Sequence, residues 1–269
     1  MRALIIGLAV IVGFYLLVVA LAYSFQRSLL YFPDQYVLSE QELGAAGFDA
    51  VIISAENSGE LLSLWHAPTD ETKPIIIHFH GNGGSIAVRL PIYQAMAQDG
   101  AGVLAVGYPG YGGNAGAPSE DALYDAAQAN YDWLMARGYS TDKIVIAAQS
   151  LGTGVATWLA SKNEASGLIL EAAYTGMDDM AQRQFPFLPA KPLIKDRYRS
   201  LDRIDQINMP LSWIHGTNDE LIPFAMGKRL FDAAKEPKFA RPVKSGGHND
   251  LWMRGIDALV RKDAQRFVD

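Results

Sequence analysis

Gln149-Ser150-Leu151-Gly152 stands directly behind the apolar run Lys143-Ile144-Val145-Ile146-Ala147-Ala148, and this junction restricts the chain's possible folds more than any other feature. It places a serine on a sharp turn between a buried strand and a helix. Such a nucleophile elbow exposes Oγ to a base and sets the following backbone N–H beside a reacting carbonyl. The turn demands small neighbours. Ala148 lies two residues before Ser150, Gly152 two after, and Gly154 and Ala156 follow, so the helix can pack close to the sheet. Where the usual pattern is G-x-S-x-G, this chain has Ala148 in the first glycine's place. Taken alone, the pattern also fits an ordinary strand-to-helix turn.

Two downstream segments favour the elbow. Leu211-Ser212-Trp213-Ile214-His215-Gly216 reads as a strand end feeding a loop, Thr217-Asn218-Asp219, with an acid at its tip. Ser245-Gly246-Gly247-His248-Asn249-Asp250 then offers glycines that let a histidine swing over the sheet. The order Ser150, Asp219, His248 is that of triads on the α/β-hydrolase scaffold, and differs from the orders on the chymotrypsin and subtilisin scaffolds. Glu171 and Asp178 follow the preceding strand and remain alternatives for the acid.

Upstream, Pro74 to His80 is a short apolar strand ending in His80-Gly81-Asn82-Gly83-Gly84, a loop able to aim an N–H at a developing oxyanion. The expected donors are the N–H groups of Leu151 and Asn82, with Gly83 as the alternative to Asn82. Val103 to Tyr108 repeats the form and runs into Pro109-Gly110-Tyr111-Gly112-Gly113. Tyr108 and Tyr111 are candidates either to line a substrate pocket or to pack in its rim. His78 and His80 share a strand face at metal-ligand spacing, but no third ligand of matching register accompanies them, so no metal is expected.

The segments His80 to Gly84, Gly107 to Gly112, Gln149 to Gly152, His215-Gly216 with Asp219, and Gly246 to Asp250 together resemble the α/β-hydrolase-domain serine hydrolases. They are most similar to the small membrane-anchored branch that includes acyl-protein thioesterases and lysophospholipid lipases. The resemblance runs from about Leu29 to the C-terminus. It implies an esterase or thioesterase carried by Ser150, Asp219 and His248, with no cofactor and an acyl ester or thioester as substrate. A serine peptidase on the same fold, or a catalytically silent membrane scaffold, are the competing expectations.

At 269 residues the chain suits one large α/β domain. Its net charge of −6, without a basic cluster, disfavours nucleic acid as a partner. The absence of cysteine removes disulfides, thiolate chemistry and Cys-based zinc sites. No residue from Ala3 to Gln26 is charged, enough for a helix to cross ~30 Å of hydrocarbon. Residues 1–27 are therefore expected to be a single-pass anchor in the bilayer. A signal peptide cleaved near Ala20-Leu21-Ala22 is the alternative, although signal h-regions run only about 7–15 residues. Arg2 and the amino terminus place the N-terminus inside and the domain on the non-cytoplasmic side, the periplasm in a Gram-negative cell.

Residues 28–269 form the expected catalytic domain. Apolar runs at Ala50 to Ser54, Leu61 to His66, Pro74 to His80, Val103 to Tyr108, Lys143 to Gln149, Gly167 to Ala172, Pro210 to His215 and Ala240 to Lys244 predict eight strands. Helical segments alternate with them from the third onward. This predicts a mostly parallel sheet with helices on both faces and an antiparallel edge formed by the two early strands. Ser119-Glu120-Asp121 predicts a capped helix start, with helical periodicity to Gly138. Residues 174–200 hold Pro186, Pro189 and Pro192 among Phe185, Phe187 and Leu188, which predicts a short cap over the pocket rather than one helix. Arg197-Tyr198-Arg199 within it suits either an anionic head group or a solvated turn.

Overall fold

The structure, a computed structural model describing residues 1–269, begins with a long helix α1 (Arg2–Leu30). A short helix α2 (Glu40–Ala46), with Ser39 and Glu42 forming a capping box, leads into an antiparallel hairpin of β1 (Asp49–Ala55) and β2 (Gly59–His66). The chain then alternates: β3 (Ile75–Phe79), α3 (Leu90–Met96), β4 (Gly102–Ala105), α4 (Glu120–Ala136), β5 (Ile144–Gln149), α5 (Leu151–Ala160) and β6 (Gly167–Glu171). Two short helices, α6 (Met177–Gln184) and α7 (Ala190–Leu193), precede β7 (Leu211–Gly216), α8 (Phe224–Ala233), β8 (Lys238–Val243) and α9 (Asp257–Val268).

The eight strands make one sheet in the order β1-β2-β4-β3-β5-β6-β7-β8. Only the pairings of β2 with β1 and with β4 are antiparallel, as the two early strands predict. Strand alternation divides the core in two. Ile75, Ile77 and Phe79 join α4, α5 and α8 on one face, while Ile76 joins α3 and α9 on the other. Every residue of β3, β4 and β6 is buried, as central strands covered on both faces must be.

Helix α4 starts where its sequence signals it: the Ser119 hydroxyl accepts from the Ala122 N–H at 3.2 Å, with Glu120 and Asp121 in the first turn. Strand β4 is shorter than its apolar run suggests, ending at Ala105 instead of Tyr108. The Asn114 side chain takes over at the neighbouring strand, accepting from the Leu62 N–H at 2.7 Å and donating to the Leu62 carbonyl at 3.2 Å. A Cβ at Gly107 would lie 1.9 Å from the Leu62 carbonyl oxygen, so the chain leaves the sheet through a position only glycine fills.

Helix α1 is long and apolar enough to cross a membrane, with a mean hydropathy of 3.0 over its best 18-residue window.

Candidate active site

Ser150 joins β5 to α5 with φ 51° and ψ −120°, a conformation that costs on the order of 1–3 kcal/mol for a residue with a side chain. Surrounding contacts hold it there. The Ser150 N–H donates to the Glu171 carbonyl at 2.9 Å, and the Ser150 carbonyl accepts from the Thr153 N–H at 2.8 Å. A Cβ at Gly152 would meet the Phe79 carbonyl oxygen at 2.2 Å, so the elbow requires glycine there to bring α5 against the end of β3. Ala148 is fully buried in the core below the turn, and the sheet accommodates its methyl.

The Asp219 and His248 loops are packed backbone to backbone. The Asn218 N–H donates to the Gly246 carbonyl at 2.9 Å, and a Cβ at Gly216 would lie 2.3 Å from that same oxygen. Asp219 Oδ1 accepts from the N–H groups of Leu221 at 2.9 Å and Ile222 at 2.8 Å. Its Oδ2 lies 2.8 Å from His248 Nδ1, and His248 Nε2 lies 3.0 Å from Ser150 Oγ. An ionised carboxylate only accepts, so Nδ1 carries the proton and Nε2 is the acceptor facing the serine hydroxyl. Burial pushes the Asp219 carboxyl up, but the hydrogen bonds from His248 and the Ile222 N–H outweigh it and hold the group below its ordinary value. Beneath lies His215, whose Nε2 is 2.9 Å from the Ile222 carbonyl and whose Nδ1 accepts from Trp213 Nε1 at 3.2 Å. Burial lowers its pKa.

Glu171 and Asp178, the alternative acids, are engaged elsewhere. Glu171 accepts from Trp252 Nε1 at 2.9 Å on the far face of the sheet, and burial raises its pKa to about 8. Asp178 pairs with Arg199 at 3.0 Å.

A family described as serine aminopeptidase, S33, matches residues 70–195. The α/β-hydrolase domain-containing protein WAV2 of Arabidopsis thaliana is 31% identical, over 92% of this chain and 89% of its own. The chain belongs to the α/β-hydrolase-domain family. Lysophosphatidylserine lipase ABHD12 of Xenopus tropicalis is 28% identical, over 81% of this chain and 63% of its own. An esterase of Pyrococcus furiosus superposes with a TM-score of 0.72 at 19% identity, covering 88% of this chain and 100% of its own, a likeness of fold. This hydrolase is thus an enzyme of the α/β-hydrolase fold, which sets aside the silent scaffold.

In the hydrolase, Ser150, Leu151 and Asn82 face one cavity of ≈ 390 Å³, within the usual range for small-molecule sites. The Leu151 N–H opens α5, where the first amides have no intrahelical acceptor. The Asn82 N–H likewise has no intramolecular acceptor. A Cβ at Gly81 would be 3.5 Å from Ser150 Cβ, so this loop passes directly over the serine.

Tyr108 and Tyr111 do not reach the cavity wall. Both are buried behind the Asn82 loop, with the Tyr108 hydroxyl donating to the His80 carbonyl at 3.1 Å and the Tyr111 hydroxyl to the Asn82 carbonyl at 2.8 Å. Chain reversal at Gly110 and Gly112, both at positive φ, turns their rings inward. His80 packs on Tyr108 with ring centroids 4.1 Å apart, and His78 on Tyr93 at 5.5 Å. Burial, with the charge of Arg89, lowers the pKa of His78 to about 3.

Two participants escape sequence reasoning. Arg89 Nη1 donates to the Ser85 carbonyl at 3.0 Å and its Nη2 to the Gly83 carbonyl, clamping the Asn82 loop, yet it sits in an unremarkable segment. The other is α1, which contributes Ala22, Tyr23 and Leu29 to the wall of the cavity that Met180, Phe185 and Leu188 also line. Arg197-Tyr198-Arg199 is not a free basic turn, since Arg199 is paired with Asp178 and Asp202 and Tyr198 is fully buried.

Proposed function

We propose that this hydrolase cleaves acyl esters or thioesters through Ser150, His248 and Asp219 by way of an acyl-enzyme. The observation that carries this reading is the unbroken run of hydrogen bonds from Asp219 through His248 to Ser150. His248 Nε2 takes the Ser150 proton as Oγ adds to the substrate carbonyl, and Asp219 stabilises the imidazolium that forms. The Leu151 and Asn82 N–H groups receive the developing oxyanion. As the tetrahedral species collapses, His248 returns the proton to the departing alcohol or thiol. Water then attacks the acyl-serine by the same route and releases the carboxylic acid. ABHD12, a lysophosphatidylserine lipase by name, supports an acyl substrate, and the apolar cavity fits one.

We read residues 1–27 as a retained anchor, residues 28–269 as the catalytic domain on the non-cytoplasmic side, and residues 174–200 as its cap. Supporting retention, Tyr15, upstream of the Ala20-Leu21-Ala22 site, donates to the Phe187 carbonyl at 3.0 Å, and Val19 and Ala22 line the cavity.

The test is labelling with a fluorophosphonate probe. Wild type should be labelled at Ser150 and the Ser150→Ala variant should not; equal labelling of both would reject the assignment. The family described as serine aminopeptidase keeps a peptidase as the second reading. Comparing kcat/KM on p-nitrophenyl esters from C2 to C16, an acyl-thioester and an aminoacyl-anilide separates the two. Medium-to-long acyl substrates should lead, with the anilide poor.

A further inference from the structure

Helix α1 has two halves with different surroundings. Residues 2–17 are exposed all round, whereas Val18, Val19, Ala22, Gln26 and Leu30 are half-covered, a stripe at helical spacing pressed on the cap and cavity. From Val19 to Leu30 the cavity follows α1 for about 16 Å of helix, from the lipid-facing part down to the level of Ser150.

The depth of that stripe follows from charge. A span of about 20 residues placed anywhere within the uncharged stretch Ala3 to Gln26 includes Gly7 to Ala22. Val19 and Ala22 therefore lie in hydrocarbon in every placement, and so does Tyr15. Tyr15 fixes the depth of the cap, because its hydroxyl donates to the Phe187 carbonyl at 3.0 Å.

The cap is built for that environment. From Phe185 to Ile194 its one charge is Lys191, which is paired with Asp179 at 2.6 Å. Irregular backbone is tolerated at membrane depth only where its polar groups find partners. Pro186, Pro189 and Pro192 present no N–H at all. Tyr15 serves the Phe187 carbonyl, Gln182 Nε2 serves that of Leu188 at 3.0 Å, and Gln26 Nε2 serves that of Leu193 at 3.3 Å. Phe187 itself is 67% exposed, an aromatic with no protein neighbour to bury it.

We propose that the cap dips into the same leaflet as the final turns of α1, and that the cavity opens sideways into hydrocarbon between them. The anchor is then one wall of the active site. Its occupant is the acyl chain of a leaflet-resident lipid ester, which slides along the Val19, Ala22 and Leu30 face until its carbonyl reaches Ser150. This substrate assignment rests on the acyl-transfer reading above, while the depth of the cap does not.

Two measurements on the full chain in phosphatidylcholine vesicles test the proposal. The chain has no cysteine, so Phe187→Cys introduces a unique thiol for a nitroxide label. Its collision with oxygen against a water-soluble nickel chelate should match a Leu16→Cys label in mid-helix, and differ from a Lys235→Cys label on the domain. A Phe187 label as accessible to the chelate as the Lys235 label overturns the proposal. In the second, Ala22→Trp fills the wall, and the ratio of kcat/KM for a C16 ester to that for a C4 ester should fall at least tenfold. Leu8→Trp, on the free half of α1, should keep the wild-type ratio. An unchanged ratio in Ala22→Trp overturns the role of the anchor as a wall. Loss of the acyl-transfer reading would show separately, as wild type that the fluorophosphonate fails to label.

Discussion

The Phe32 N–H donates to the Asn82 carbonyl at 3.0 Å, and the Gly84 N–H returns the bond to the Phe32 carbonyl at the same distance. Two residues beyond the end of α1, the chain thus forms a small parallel bridge to the loop proposed to hold the oxyanion. Asn82 Nδ2 adds a third tie, donating to the Leu30 carbonyl at 3.0 Å. The position of the Asn82 N–H is therefore set from three sides: the exit of α1, Tyr111 and Arg89.

Tyr111→Phe removes one of those ties and leaves the ring in place. One hydrogen bond contributes about 0.5–1.5 kcal/mol net, and the Asn82 carbonyl keeps its bond from Phe32. The fold should survive. If the loop positions a transition-state donor, kcat should drop roughly 3- to 10-fold with KM little changed. Steady-state kinetics on a p-nitrophenyl ester reads this directly, and an effect confined to KM would place Tyr111 in substrate binding instead.

Asp219→Asn should lower kcat on the order of 10³–10⁴-fold, because an amide cannot hold the histidine tautomer that faces the serine. Glu171→Gln and Asp178→Asn should stay within a few-fold of wild type, since neither carboxylate is bonded to His248. The comparison discriminates among the three acids after the central strands that the sequence leaves open.

Gly152→Ala sets two effects of opposite sign against each other. In an exposed helix the change stabilises by up to about 1 kcal/mol. Here the new methyl would meet backbone oxygens of Phe79 at 2.2 Å and His80 at 2.7 Å, and neither can turn aside as a side chain would. Overpacking of this kind costs about 1–3 kcal/mol or more, so the clash wins. Thermal melts should show a lower Tm, and fluorophosphonate labelling of Ser150 should fall as the elbow is displaced.

Glu171 predicts a pH effect on stability. Burial raises its pKa from 4.5 to about 8, so between those values the folded protein holds a proton that the unfolded chain releases. Stability contributed by this group is full below about 4.5 and is lost as pH rises through 8. Glu171→Gln removes the titration and can still accept from Trp252. Between pH 5 and 9 wild type should therefore lose more Tm than the variant; parallel losses would mean that Glu171 is not held protonated.

Much of this architecture is legible in the chain. The eight strands announce themselves as apolar runs, and the Ser150, Asp219 and His248 loops as glycine-flanked polar residues at strand ends. What is not legible depends on contacts between distant segments. Tyr108 and Tyr111 look alike as pocket or rim residues until Gly110 and Gly112 turn them inward. The Asn114 amide that replaces the ladder at Leu62 lies 52 residues away from it, so the early end of β4 has no local sign. Helix α1 is apolar on all sides, so composition cannot tell its protein-facing stripe from its lipid-facing surface. The stripe is defined by its partners in the cap.

The separation of those partners along the chain bears on when the enzyme becomes complete. Arg27 and Asp196 are 169 residues apart, and Tyr31 and Tyr198 are 167 apart. Contacts of such high order close late, after the intervening sheet has formed, because their loop-closure entropy is offset only once both surfaces exist. Helix α1 is made before its partners in residues 174–200 and is among the last elements to dock. On the reading proposed above, a growing chain tethered to the bilayer carries neither a finished acyl wall nor, until residue 248 is made, a base for its serine. The same reading has the membrane spared while the hydrolase is synthesised on it.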